Sequence, residues 1–218
     1  MPSDQKPTVV LVHGAFADGS SWDVVIERLR AKGYAVQAPA IALRGVGVDA
    51  AYLSSVMKQI EGPVLLVGHS YGGALITNVD EPNVVGLVFV AAFAPDTDEA
   101  LGEVTPESKD SILMSALVQC DYPTGTDGET APELFIDPAK LREAFAADLP
   151  MERTSVMAAT QRPVAPRPSG TDRGRRRGRA CRHGPWWRPK TRPQEPISSD
   201  RFPFGRARRS PKWRVRTS

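Results

Sequence analysis

The stretch VLLVGHSYGG, residues 64–73, decides the fold of this 218-residue chain. Its first four residues are apolar and branched without interruption, which is typical of a short strand buried on both faces of a parallel sheet. The letters GHSYG match G-x-S-x-G, a pattern in which a serine occupies a sharp turn between a strand and a helix. Glycines two positions before and after Ser70 relieve crowding in such a turn. We predict that Ser70 stands clear of the sheet as a nucleophile; the alternative is an ordinary serine in a glycine-rich turn.

A second loop is expected at the same edge of the sheet. The strand-like TVVLV at 8–12 runs directly into His13-Gly14-Ala15-Phe16. Backbone N–H groups at this loop and at the amino end of the helix after Ser70 can stabilise an oxyanion. We therefore predict an oxyanion hole formed by the N–H groups of Ala15 and Tyr71, with Phe16 as a further donor. The alternative is that 13–16 is a plain strand-to-helix turn.

The rest of the first 162 residues continues the alternation of strands and helices. Further strands are predicted at 34–38 and 84–93, and helices are predicted from Ser21 to Gly33, from a cap at Asp49 to Ile60, and over 72–78. This order favours an α/β fold with a mostly parallel sheet and flanking helices. Residues 96–160 are mostly polar, with helix candidates at 111–118 and 138–147, and they predict a small helical cap over the carboxyl edge of the sheet.

Charge divides the chain near residue 163. Residues 1–162 carry 11 Lys and Arg against 22 Asp and Glu, whereas residues 163–218 carry 17 against 3. The balances, −11 and +14, give the net charge of +3. We predict an α/β domain over 1–162 and a disordered Arg/Pro-rich tail over 163–218, because the tail holds too little apolar surface to fold.

The location of the protein is predicted from the lack of membrane-spanning and signal segments in the sequence. No apolar run is long enough to cross a membrane, and the polar start carries no apolar signal segment. Two cysteines, Cys120 and Cys181, are expected to be plain thiols. These features predict a cytoplasmic protein with no membrane partner.

Three stretches together resemble the α/β-hydrolase superfamily: VVLVHGAFADGSSWDVVIERLRAKGY, GPVLLVGHSYGGALITN and VVGLVFVAAFAPD. The resemblance runs from about residue 8 to about residue 164, including MAATQRP, and is closest to small bacterial esterase-like members related to plant methylesterases and hydroxynitrile lyases. It implies that Ser70 is the nucleophile, that Ala15 and Tyr71 are the oxyanion donors, and that no cofactor is needed.

The acid and the base of the catalytic triad are harder to place. The superfamily orders its triad Ser, Asp or Glu, His along the chain, so the resemblance implies that both partners lie beyond residue 163, where no strand is visible. Asp96, just past the fourth predicted strand, is a possible acid; the alternative is a solvated loop aspartate or a helix cap. His13 and His69 belong to the two loops, with His69 interpreted as structural, and no apolar strand precedes His183.

The composition of the tail suggests a shifted reading frame. With codons that we chose to fit residues 185–191 and 204–218, skipping two bases yields LVATED and RAGATVTEVASSHV, which resemble the strands of the superfamily that end at its acid and its histidine. We hypothesise a frame shift between about residues 165 and 184, which truncates the hydrolase fold at its C-terminus. An intact sequencing read in the present frame would remove this hypothesis.

The sequence therefore predicts a serine hydrolase that acts on a small ester through an acyl-enzyme. Cofactor-free lyases and perhydrolases are alternatives, because a fold does not fix a reaction. A further alternative is a defective remnant whose basic tail, with RGRRRGR near Trp186 and Trp187, binds nucleic acid or other polyanions non-specifically. The expected partner is a small-molecule ester.

Overall fold

The computed structural model describes residues 5–95 and 111–166. Four strands form one parallel sheet in the order β2-β1-β3-β4, as the alternating sequence pattern predicts. Their bounds are Thr8–Val12 (β1), Val36–Gln37 (β2), Val64–Ser70 (β3) and Val84–Ala92 (β4). The central strands β1 and β3 are the uninterrupted apolar runs, which is expected because both of their faces are covered.

Two strands differ from the prediction in length. β2 has only two residues instead of five, because only Val36 and Gln37 pair with β1. β3 continues past its apolar run to Ser70, because His69 pairs with Val90 and Ser70 pairs with Ala92 on β4. The candidate nucleophile is thus the last residue of a central strand.

Three helices cover this sheet: α1 over Asp23–Ala31, α2 over Val46–Met57 and α3 over Tyr71–Thr77. α1 follows a 3-10 turn at Gly19–Trp22 whose N-cap is Asp18, the side chain of which accepts the N–H of Ser20. The prediction that Asp49 caps α2 is wrong, since the helix begins three residues earlier and Asp49 lies buried in its first turn.

The core has one layer on each face of the sheet. Alternate residues of β1 point to opposite sides, so Val10 and Val12 pack with α2 and α3 while Val9 and Leu11 pack with Trp22 and α1. The carboxyl ends of β1 and β3 lie at one edge of the sheet, where the two predicted loops follow them.

The cap is not purely helical, and this part of the prediction is wrong. Its described part contains an antiparallel hairpin of β5 (Leu117–Pro123) and β6 (Thr130–Ile136), followed by α4 (Leu141–Phe145) and α5 (Met151–Thr160). The predicted helix at 111–118 is a 3-10 turn, Leu113–Ala116, that leads into β5. The hairpin escaped detection because most of β5 is exposed, so no run of buried residues marks it.

None of the helices described in residues 5–95 and 111–166 is long and apolar enough to span a bilayer.

The outer strand β4 leaves an apolar surface exposed, and we expect it to drive self-association. Val88 and Val90 lie two residues apart on one face and are 40% and 41% exposed. An apolar edge strand is a template for pairing with another chain. Replacing both valines by threonine keeps β propensity and should lower the associated fraction in sedimentation velocity. The matched control replaces Val24 and Val48, isolated exposed valines outside the sheet, and should leave association unchanged; equal effects would contradict the prediction.

Candidate active site

Ser70 has a strained backbone at the junction of β3 and α3. Its φ of 50° and ψ of −119° place a non-glycine residue in the left-handed half of the Ramachandran map. The N–H of Phe93, just past β4, donates to the Ser70 carbonyl oxygen at 3.1 Å and holds the turn from the sheet side. Strain of this kind costs about 1–3 kcal/mol and persists only where the surrounding structure enforces it, typically at functional sites. The side chain is partly exposed, as a nucleophile requires.

Three glycines make this turn sterically possible. A methyl group on Gly68 would lie 2.6 Å from the carbonyl oxygen of Gly72, and one on Gly72 would lie 2.5 Å from the carbonyl oxygen of Val12. The G-x-S-x-G pattern predicted that glycine is needed at positions 68 and 72. A methyl group on Gly73 would collide with the Phe93 carbonyl oxygen, a requirement that the pattern did not reveal.

The two predicted loops meet at the same edge of the sheet. A methyl group on Gly14 would lie 3.0 Å from Cβ of Ser70 and 2.9 Å from Nδ1 of His69. The backbone that carries Ala15 therefore begins in direct contact with the serine turn. The structure thus brings the turn of Ser70 and Tyr71 and the backbone of Gly14 together at one edge of the sheet.

A sequence profile of the alpha/beta hydrolase family matches residues 9–215. The chain belongs to the alpha/beta hydrolase family. Among its relatives, a pyrethroid hydrolase from Sphingobium wenxiniae is 28% identical over 165 residues, which is 66% of this chain and 56% of that protein. A carbendazim hydrolyzing esterase from a Nocardioides species is 34% identical over 45% of this chain and 47% of its own. The chain thus spans about half the length of the curated relatives that it matches.

Solved structures agree on the fold. This alpha/beta hydrolase superimposes on polyneuridine aldehyde esterase with a TM-score of 0.61 at 21% identity, covering 74% of this chain and 70% of that one. An Arabidopsis methylesterase gives a TM-score of 0.56 at 19% identity, covering 73% and 67%.

The buried ring of His13 anchors the loop at residues 13–16. The ring is fully buried; Nδ1–H donates to the Gly14 carbonyl oxygen at 2.9 Å, and Nε2 accepts the N–H of Ile41 at 3.1 Å. Because the carbonyl only accepts and the amide only donates, these partners fix a neutral ring with its proton on Nδ1. Burial lowers the pKa of His13 in agreement. With both nitrogens engaged, His13 is a structural residue and not a general base.

This neutral ring predicts a pH-dependent stability. The unfolded chain protonates its histidines near their ordinary pKa of about 6.5, whereas the folded state resists protonation of His13. The neutral His13 ring therefore contributes its full share to the free energy of unfolding above a pH of about 6.5. This share is lost as the pH falls further, by at most about 1.4 kcal/mol per pH unit. The His13→Gln variant keeps an acceptor for the Ile41 N–H but has no ring to protonate. Urea unfolding between pH 5 and 8 should therefore show a smaller fall in the free energy of unfolding toward low pH for this variant than for the parent chain. An unchanged slope in the variant would contradict the assignment.

His69 also fits its predicted structural role. Its ring stands edge-on to Trp22, with the two centroids 6.3 Å apart and the planes at 88°. Burial lowers the pKa of His69, so this ring is also neutral at physiological pH. No hydrogen bond joins either histidine ring to Ser70 within residues 5–95 and 111–166.

Asp49 has a role that local sequence did not reveal. Its Oδ2 accepts the hydroxyl of Tyr71 at 2.8 Å and the N–H of Arg44 at 3.1 Å. Burial raises the pKa of Asp49, and these hydrogen bonds act against that rise. Asp49 therefore anchors the side chain of the residue that follows Ser70. A helix-forming pattern around Asp49 could not show this, because Tyr71 is 22 residues away.

The candidate acid Asp96 and the remaining histidine, His183, both lie outside the described residues, as does Cys181. Cys120 is an exposed free thiol on β5. Within the described ranges, no three His, Cys, Asp or Glu side chains form a group suited to a metal ion.

Proposed function

We propose that this hydrolase cleaves small carboxylic esters through an acyl-enzyme, with Ser70 as nucleophile and no cofactor. The Ser70 hydroxyl oxygen attacks the ester carbonyl, and the N–H groups of Ala15 and Tyr71 bind the oxyanion. The base and the acid of this mechanism are those that we place in the alternative reading frame: a histidine oriented by a carboxylate takes the serine proton and passes it to the leaving alcohol, and water then releases the acid. The observation that carries the proposal is the strained Ser70 turn in contact with Gly14.

The relatives support this reaction class. Two of them are named for hydrolysis of a pyrethroid and of carbendazim, and another is a methylesterase of Arabidopsis thaliana, 32% identical over 114 residues. Two of these names describe hydrolysis of a small molecule, and the third describes cleavage of a methyl ester. Ester cleavage uses a serine nucleophile together with backbone oxyanion donors, which is the arrangement that we propose for Ser70.

A fluorophosphonate probe tests the assignment without knowledge of the natural substrate. The turn exposes the Ser70 hydroxyl, and the proposed oxyanion donors would stabilise the phosphonate adduct, so we expect specific labelling of Ser70 that is slow because no described histidine activates the serine. Peptide mass spectrometry should place the label on Ser70, and Ser70→Ala should remove it. Ser55→Ala, at an exposed serine of α2, is the matched control and should label like the parent chain. Equal labelling of the Ser70→Ala chain would contradict the proposal.

A second candidate is a hydrolase fold without a working base. It is favoured by the absence of any hydrogen bond between Ser70 and the rings of His13 or His69 in the described part of the chain. A protein of this kind would gain no ester turnover when read in the alternative frame, so the rate of the frame-restored chain described in the Discussion separates the two candidates.

A further inference from the structure

Residues 161–165 form a strap that is hydrogen-bonded to β6 and to the loop after β2. The side-chain amide of Gln161 accepts the Ile136 N–H at 2.8 Å and donates to the Ile136 carbonyl at 2.9 Å. Val164 exchanges two backbone hydrogen bonds with Leu134, at 2.8 and 3.0 Å. The N–H of Ala165 donates to the Leu43 carbonyl oxygen at 2.9 Å. The strap is therefore rigidly placed against β6 and against the loop after β2.

Arg162, at the centre of this strap, has an unpaired charge. Its Nε is buried without a hydrogen-bond partner, and its guanidinium forms no ion pair or hydrogen bond in the described part of the chain. The nearby Arg44 and Arg153, by contrast, pair with Glu133 at 2.8 Å and Asp23 at 3.1 Å. A partly buried cation that lacks a partner is costly, so its retention on a rigid segment calls for a ligand.

The position of Arg162 puts this charge beside the proposed oxyanion loop. Its N–H donates to the Phe16 carbonyl oxygen at 3.4 Å, the bond of an isolated antiparallel bridge. Phe16 lies two residues after Gly14, the residue that touches Ser70. The Arg162 charge also helps to lower the pKa of His13, which places the guanidinium within electrostatic reach of the buried side of the loop.

We propose that Arg162 forms an anion subsite for a carboxylate carried by the ester substrate, so that half-esters of dicarboxylic acids bind in preference to neutral diesters. This inference rests on the proposed ester hydrolysis. A guanidinium presents parallel N–H donors that match the two oxygens of a carboxylate, and the charge-assisted pair is stronger than a neutral hydrogen bond. The strap fixes the backbone of Arg162 before the ligand arrives, which reduces the entropy cost of placing the guanidinium.

Binding to the Ser70→Ala chain tests the subsite without turnover. Isothermal titration with monoethyl succinate and diethyl succinate should show that the half-ester binds about 10-fold or more tightly than the diester. Adding Arg162→Gln should abolish this preference, and Arg162→Lys should retain part of it. Arg153→Gln is the matched control, because it removes a guanidinium that already has a partner, and it should keep the preference. Equal affinities for the two esters, or a preference that survives Arg162→Gln, would overturn the proposal.

Chemical protection makes the test independent of how the variants fold. Phenylglyoxal modifies accessible guanidinium groups, and monoethyl succinate should slow modification of Arg162 in the full wild-type chain, as read by peptide mass spectrometry. Diethyl succinate should not slow it, and equal rates with and without the half-ester would overturn the subsite. The two proposals fail separately: an unlabelled Ser70 with an intact half-ester preference refutes the reaction, whereas equal ester affinities with a labelled Ser70 refute the subsite.

Discussion

Gly73→Ala should destabilise the protein by about 3 kcal/mol or more, the upper end of the cost of overpacking. Gly73 lies in the first turn of α3, where the helix crosses the end of β4. A methyl group at this position would lie 2.6 Å from Cβ of Ala92 and would collide with the carbonyl oxygen of Phe93. Phe93 cannot move away without breaking the hydrogen bond from its N–H to the Ser70 carbonyl. The mutation therefore forces apart the elements that hold the serine turn.

Gly86→Ala on β4 is the matched control for this prediction. Its added methyl would meet only Cδ1 of Leu65, at 3.1 Å, and a leucine side chain can rotate. We expect a small change in the free energy of unfolding for Gly86→Ala and a large loss for Gly73→Ala, both measured by urea unfolding followed by circular dichroism. If the two variants unfolded at similar urea concentrations, the close approach of α3 to β4 would be refuted.

The sequence predicted the four strands of the parallel sheet and missed the hairpin of the cap. β1 and β3 contain uninterrupted apolar runs because residues 9–12 and most of residues 64–68 are buried between the helices. The glycine pattern around Ser70 reports a local steric demand. The hairpin of β5 and β6 has no such signal, since Cys120 and its neighbours on β5 are exposed. Its position depends on long-range packing of Ile136 and Leu141 against Phe16.

The same limit applies to the polar residues of the site. Asp49 matched the local pattern of a helix cap, but its partner is Tyr71 on another helix. Arg162 belongs to the family-like stretch MAATQRP, but the sequence around it does not show whether its guanidinium has a hydrogen-bond partner. Hydrogen bonds that join distant segments are set by the tertiary fold, so only the structure separates a helix cap from an anchor for the residue after Ser70.

The 218-residue chain should hydrolyse 4-nitrophenyl acetate very slowly, no more than about 10³–10⁴ above the rate in water. The physical reason lies in the described histidines. Both nitrogens of His13 are engaged with Gly14 and Ile41, and the ring of His69 stands against Trp22. Neither ring is hydrogen-bonded to Ser70 within residues 5–95 and 111–166. His183→Ala should leave this slow rate unchanged, because no strand-like segment precedes His183 to fix its orientation.

A chain read in the alternative frame beyond the hypothesised shift should recover catalysis. Loss of the serine or the histidine in a serine protease lowers kcat by about 2 × 10⁶, so a restored base and acid should raise the rate by several orders of magnitude. Ser70→Ala in the restored chain should remove the gain, because the nucleophile is then absent while the fold and the oxyanion donors remain. Rapid, Ser70-dependent turnover by the 218-residue chain itself would contradict this prediction, since it would require a base that already reaches Ser70.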